Sequence, residues 1–295
     1  MLFRLPIILF LFTSLAPVNG QSALPALYST AQYEECLEQS RTLLQENPSD
    51  SSALFFQGLC LIKAKDYEQA HTSLVAAEEA NFQAVPLCKA QQALCLAQLG
   101  KSEKALEILQ TLSEAGFSNY TIINQEEFEA LAAMPGFQAV RDSIHRRSFP
   151  CFYDANYTHF DFWVGEWDVF VGNAKVGENK ITKQEGGCAV LEQYSTARDY
   201  VGQSYNYYDP ADGLWKQIWI DHTRGISNYV ESERKENYLQ FISTAASQPA
   251  GYANLRMTFS KNEDGSVRQH IEQQNSETGK WQTAFDGRYV RKKSN

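Results

Sequence analysis

The sequence predicts a two-domain α + β chain: a domain of helical-hairpin repeats, then an antiparallel up-and-down β-barrel of about 8–10 strands. Three observations predict it. In the first half, small and apolar residues follow helical spacing and recur at about 34 residues. In the second half, turn signals recur every 8–14 residues with alternating runs between them. No helical run separates those strands, which excludes a parallel sheet. A chain of 295 residues accommodates two domains, each with its own core.

Residues 1–20 carry a targeting pattern. Arg4 supplies a positive start, Leu5 to Leu15 is almost unbroken apolar sequence, and Val18-Asn19-Gly20 is a plausible cleavage point. The run is shorter than the about 20 residues that span a bilayer, and nothing later is apolar enough to do so. No cysteine follows it, which argues against a lipoprotein anchor; an uncleaved anchor is the alternative. The mature protein is expected to be exported, to a periplasmic or extracellular site, with no membrane span.

The formal charge is −9 and the pI about 5.2. Nucleic acid and anionic membrane surfaces need clustered Lys and Arg, so both are excluded as partners. The helical half is the more acidic, with 16 Asp/Glu against 9 Lys/Arg over 21–147.

Residues 21–147 are read as the repeat domain. Gly58, Tyr67, Ala70, Leu74 and Ala77 form a ladder of small, aromatic and large positions. A shift of 35 gives Ala93, Ser102, Ala105, Leu109 and Leu112; a shift of 34 back gives Tyr33, Cys36, Ser40 and Leu43, closed by Pro48. Small residues let paired helices approach, and larger ones fill the gap to the next pair. Asn47-Pro48-Ser49-Asp50 reads as a helix stop followed by an N-cap, and Leu99-Gly100-Lys101-Ser102 as a tight turn. Beyond Phe117 a further helical pair is expected up to Ile144, broken at Met134-Pro135-Gly136-Phe137. This ladder resembles the tetratricopeptide repeat over about 22–145. The resemblance implies a concave groove for a protein or peptide partner. The alternative is that two and a half repeats serve only as packing.

A linker is expected at 148–156, after Arg146-Arg147, and the barrel at 157–292. The first strand is read in Trp163–Val171, with Gly165, Trp167, Val169 and Val171 on one face. The last is read with Trp281, Thr283, Phe285, Gly287 and Tyr289 together. A long antiparallel meander must protect its edges, and closure does so; a β-sandwich is the runner-up. Gly165-Glu166-Trp167 resembles the Gly-x-Trp of lipocalin-like barrels. With Gly187–Glu192, Gly202–Asp209, Trp215–Asp221 and Phe285–Tyr289, residues 160–292 resemble a bacterial lipocalin-like domain of unknown function. The resemblance implies a calycin-type barrel and brings no reaction with it.

The candidate ligand-binding residues are Glu192, Asn206, Gln217, Trp219, Asp221 and Arg256, a polar set inside an aromatic-walled interior. The parity of Trp215–Asp221 is ambiguous, because Leu214, Lys216, Ile218 and Ile220 on its other face are also partly apolar. Some of the set pointing to solvent, or a self-satisfied Glu192–Arg256 pair, is the alternative. Gly202-Gln203-Ser204-Tyr205-Asn206 lacks the second glycine of a nucleophile elbow, so no catalytic residue is assigned. No metal ligand set, His-Glu-x-x-His motif or cofactor site is expected; His270, the one haem-ligand candidate, shares a face with Arg268 and Glu272. Export permits disulfides. Cys151 and Cys188 are a candidate pair, two buried thiols being the alternative, and Cys36, Cys60, Cys88 and Cys95 are expected as buried helix residues.

These readings converge on an exported, non-enzymatic binding protein. The barrel is expected to hold a small amphipathic molecule while the repeats dock a protein partner. A side-chain-filled structural barrel, or an enzyme or haem binder using the interior, are the alternatives.

Overall fold

A computed structural model describes residues 23–244 and 252–293. The targeting segment 1–20 and the turn at Gln248-Pro249-Ala250-Gly251 lie outside the described residues. The chain divides after Ser148 into two compact units.

The first unit is helical: α1 (Leu24–Ser29), α2 (Tyr33–Glu46), α3 (Ser51–Lys63), α4 (Tyr67–Glu79), α5 (Val85–Gln98), α6 (Ser102–Glu114), α7 (Tyr120–Ile123), a 3-10 turn (Glu126–Leu131) and α8 (Pro135–Ser148). Each of the first five packs on the next, and α6 packs on α8. The ladder explains why. Ala70, Leu74, Ala77, Ala93, Ala105 and Leu109 are fully buried. A Cβ at Gly58 would sit 2.6 Å from Leu74 Cγ, so only glycine lets α3 and α4 meet there. Asp50 caps α3 by accepting from Ala53 N at 2.9 Å, and Asp66 caps α4 through Gln69 N at 3.2 Å. Gly100 turns the chain with φ 73°. Pro135 starts α8, where its missing N–H costs no helical bond. The four helix cysteines are buried free thiols. Among the described residues no helix is long and apolar enough to cross a membrane.

The second unit is a closed barrel of ten antiparallel strands, each paired to its sequence neighbours, with the first paired to the last. They are β1 (Gly165–Val171), β2 (Ala174–Gln184), β3 (Ala189–Ser195), β4 (Val201–Asp209), β5 (Leu214–Asp221), β6 (Ile226–Lys235), β7 (Tyr238–Ser243), β8 (Tyr252–Lys261), β9 (Val267–Asn275) and β10 (Trp281–Arg291). Closure pairs Trp167 with Arg291 and Val169 with Tyr289. It leaves no edge strand.

One end of the barrel is filled. Trp163 does not begin β1: Asp161–Trp163 is a 3-10 turn that carries Phe160 and Trp163 inward. Phe160 stacks on Trp163 with centroids 4.9 Å apart and meets Phe259 at 5.0 Å and Trp215 at 5.6 Å. Trp167 Nε1 donates to Trp163 O at 2.9 Å. The Arg291 guanidinium lies 4.5 Å from the Trp167 ring centroid and donates to Val164 O at 3.1 Å. Gly165, at φ 148°, makes room, since a Cβ there would sit 2.5 Å from Arg291 Nη1.

The segment leading into β1 is tied down rather than a free linker. Arg146 and Arg147 belong to the last turns of α8, and Pro150–Phe152 and Ala155–Thr158 form short turns. A disulfide joins Cys151 to Cys188, with Cα atoms 5.0 Å apart, which fixes this segment to the β2–β3 connection. Lys183 Nζ donates to Asp161 Oδ1 at 2.7 Å and to Tyr157 O at 3.0 Å. Trp215 Nε1 donates to Asn156 O at 3.1 Å.

Two expected parities change. Val171 ends β1 exposed, unlike Trp167 and Val169. In β10 the pairing shifts between Thr283 and Phe285, where Thr283 faces Glu272 and Phe285 faces Ile271. The extra residue turns Trp281 and Thr283 outward while Phe285 and Tyr289 stay inside.

Candidate functional site

Above the aromatic plug the barrel interior becomes polar, then hollow. The alternation of β5 resolves with Trp215, Gln217 and Trp219 inward and Lys216, Ile218 and Ile220 outward. Gly202, Ser204 and Asn206 point inward on β4, as do Val190, Glu192 and Tyr194 on β3. Register places Glu192 opposite Ser204, and Asn206 opposite Gln217.

These side chains form a hydrogen-bonded layer. Glu192 Oε1 accepts from Asn179 Nδ2 at 2.7 Å and Oε2 accepts from Ser204 Oγ at 2.6 Å. Asn206 Nδ2 donates to Ser204 Oγ at 2.9 Å and to Val190 O at 3.1 Å. Gln217 Nε2 donates to Asn206 Oδ1 at 2.6 Å. Tyr289 O–H donates to Gln269 Oε1 at 2.5 Å, and Asn179 Nδ2 reaches Tyr289 Oη at 3.5 Å. Glu192, Asn206 and Gln217 are each 2% exposed or less. Burial pushes the Glu192 carboxyl up to about 7, against the pull of its two donors. Burial also raises Tyr289 well above its ordinary value, and the charge of Glu192 adds to this.

A cavity of about 230 Å³ opens beside this layer. Its walls are Glu192, Tyr194, Tyr200, Gln217, Trp219, Tyr229, Met257, Gln269, Ile271, Phe285 and Tyr289. Trp219 lies over Gly202, where any Cβ would collide with the indole. Asp221 stands at the rim rather than inside. It accepts from Tyr200 Oη at 3.1 Å and from Trp219 Nε1 at 3.4 Å, and it organises the following turn through Thr223 N at 2.8 Å and Gly225 N at 3.1 Å. Hydrogen bonding, first from the Thr223 hydroxyl, lowers its pKa to about 2.

Of the six sequence candidates, Glu192, Gln217 and Trp219 line the cavity. Asn206 supports it from behind Gln217, and Asp221 orders its mouth. Arg256 is elsewhere. It lies on the outer surface, bonded to Glu272 Oε2 at 2.9 Å and stacked 4.2 Å from the Trp281 ring centroid. Met257 is the buried residue of that pair, so its neighbour must face out. A Glu192–Arg256 pair therefore does not form. Asn179, Tyr194, Tyr200, Gln269 and Tyr289 complete the site without having been singled out. Val267, Gln269 and Ile271 alternate in sequence, a signal that could have found Gln269. Asn179 had none, since β2 is polar on both faces.

His270 is on the outer face, with Nε2 3.0 Å from Thr283 Oγ1. Asp161 pairs with Lys183, and the His222 ring lies against the Val201 backbone. Among the described residues, no group of three or more His, Cys, Asp or Glu could hold a metal ion. Outside the barrel, β4, β5 and β6 expose Val201, Tyr205, Ile218, Ile220 and Ile226. A search of protein-family profiles and a search of curated proteins each found no match to this chain.

Proposed function

We propose that this chain is an exported binding protein of lipocalin-like type, whose barrel holds one small amphipathic molecule. The observation that carries the reading is the half-open cavity above a sealed aromatic floor. Small-molecule sites are mostly apolar with a few placed polar groups, and this one sets Glu192, Gln217 and Gln269 among seven aromatic and aliphatic neighbours and Met257. Its volume is a little below the about 300–1,000 Å³ usual for such sites, so the occupant is small.

The polar layer supports binding rather than structure alone. A barrel that needed only to be full would place apolar side chains where Glu192, Asn206 and Gln217 sit, since burying a carboxyl costs stability. The helical unit, read as tetratricopeptide-like, is proposed to dock a protein or peptide partner on its stacked hairpins. Export rests on the Met1–Gly20 pattern.

Native mass spectrometry of protein purified without denaturant tests the barrel reading. A co-purifying small molecule that is released on unfolding is the expected result. A single mass equal to the mature polypeptide, unchanged by a small-molecule panel, would refute it.

A further inference from the structure

The charge pattern of the cavity selects among small molecules. Among the described residues, no Lys, Arg or His lines it. Glu192 is 2% exposed and its partners, Asn179 and Ser204, are both neutral. Each carboxylate oxygen accepts one hydrogen bond from them, although each offers about two acceptor sites. Asn179 Oδ1, in the same layer, is buried with no hydrogen-bond partner. The layer is thus rich in acceptors and short of positive charge. A second carboxylate, Asp221, stands at the mouth, held in its ionised form by the turn it organises. Six aromatic rings, among them Tyr194, Trp219 and Tyr289, complete the walls.

Resting on the small-molecule reading above, we propose that the occupant is a small organic cation, an ammonium or quaternary ammonium, seated against Glu192 and the surrounding rings. An anion would meet two carboxylates and no countercharge. A neutral occupant supplies no countercharge, so burial then favours the protonated form of Glu192 and the ionised form stays costly. A cation satisfies Glu192 directly, and aromatic rings within about 6 Å attract it through their electron-rich faces. The order from the mouth inward is then a rim carboxylate, an aromatic wall and a buried carboxylate.

The pH dependence follows. The titratable groups facing Glu192 are Tyr194 and Tyr289, both raised and therefore neutral near pH 7. Glu192 is the group that changes charge there, from a carboxyl at about 7. A cation that binds only the ionised form loses up to about thirty-fold in affinity between about pH 8 and about pH 5.5.

The test uses the mature protein and tryptophan fluorescence, with choline as probe and its uncharged isostere, in which carbon replaces the quaternary nitrogen, as control. Near pH 8, choline is expected to bind at least about ten-fold tighter than the isostere. Glu192→Gln is expected to bring the two within about three-fold, and wild-type affinity for choline is expected to weaken on acidification. The pH series on wild type stands even if the variant fails to fold. Equal binding of the two probes, or a choline affinity that does not change with pH, overturns the cation assignment but leaves a small-molecule barrel intact. Binding of neither probe also overturns the assignment; if native mass spectrometry then finds no small molecule at all, the barrel reading falls with it.

Discussion

Glu192 should make the barrel less stable as pH rises through the neutral range. Its carboxyl is raised from 4.5 to about 7 in the folded chain because burial penalises the charge. Between those values the folded chain keeps a proton that the unfolded chain has released. Stability is therefore fully present below the unfolded value, falls as pH rises towards 7, and is flat above it. The displacement corresponds to about 3 kcal/mol. Glu192→Gln removes the titration. Its NH2 group takes the place of one of the two accepting oxygens, so the Asn179 or the Ser204 donor loses its acceptor there, which costs about 1 kcal/mol. The variant should thus be about 1 kcal/mol less stable than wild type at about pH 3.5, close to equal at about pH 5, and about 2 kcal/mol more stable at about pH 8. Urea unfolding followed by tryptophan fluorescence reads this directly, because all five tryptophans (163, 167, 215, 219 and 281) belong to the barrel. Other titrating groups cancel in the difference between the two proteins. A wild-type-minus-variant difference that stays constant from about pH 5 to about pH 8 would refute the assignment of a buried, cation-free carboxyl.

Other perturbations probe the frame around the site. Replacing Cys151 and Cys188 by alanine opens a loop with sequence separation 37 and should cost about 4 kcal/mol on a loop-entropy basis, read as a lower urea midpoint for the tryptophan signal. Trp167→Ala removes a fully buried indole and its bond to Trp163 O, and should cost about 3–5 kcal/mol in the same assay; an effect under about 1 kcal/mol would show that the ring does not seal the floor. Gly202→Val drives the Trp219 indole off its seat at the mouth, and should weaken binding of the co-purifying molecule or of choline by about ten-fold or more in a fluorescence titration, with far-ultraviolet dichroism retained.

The barrel and its helical leader were legible because each rests on local periodicity. Alternation of apolar and polar residues marks strands whichever partner they find, and the Gly58–Leu74 ladder marks hairpins whichever helix lies next. The shared faces on β3 and β4 were legible for the same reason, whereas β5 is partly apolar on both faces and its parity is settled only by the fold. What local pattern cannot convey is register. Asn179 meets Glu192, and Tyr289 meets Gln269, only because β2 pairs with β3 and β10 closes on β9 and β1. The single extra residue between Thr283 and Phe285 reverses the strand's faces, so Trp281 reads as an inward ring in sequence and stands outside beside Arg256. Arg256 itself was readable as outward, since the interior claims Met257 beside it. The cavity is illegible for a different reason. It is the volume that inward side chains fail to fill, and no single residue reports it.

In the proposed binding mode a small molecule enters the barrel at Trp219 and reaches Glu192. The most direct measurement is the set of five indole N–H resonances on addition of choline, or of the molecule released from the purified protein. Trp219 lines the cavity, whereas Trp163, Trp167 and Trp215 lie in the sealed floor and Trp281 lies outside against Arg256. The Trp219 resonance should shift on binding and return when the ligand is removed, with the other four nearly unmoved. Shifts confined to Trp281, or to backbone amides of the exposed Val201, Tyr205 and Ile220 surface with Trp219 unmoved, would contradict it.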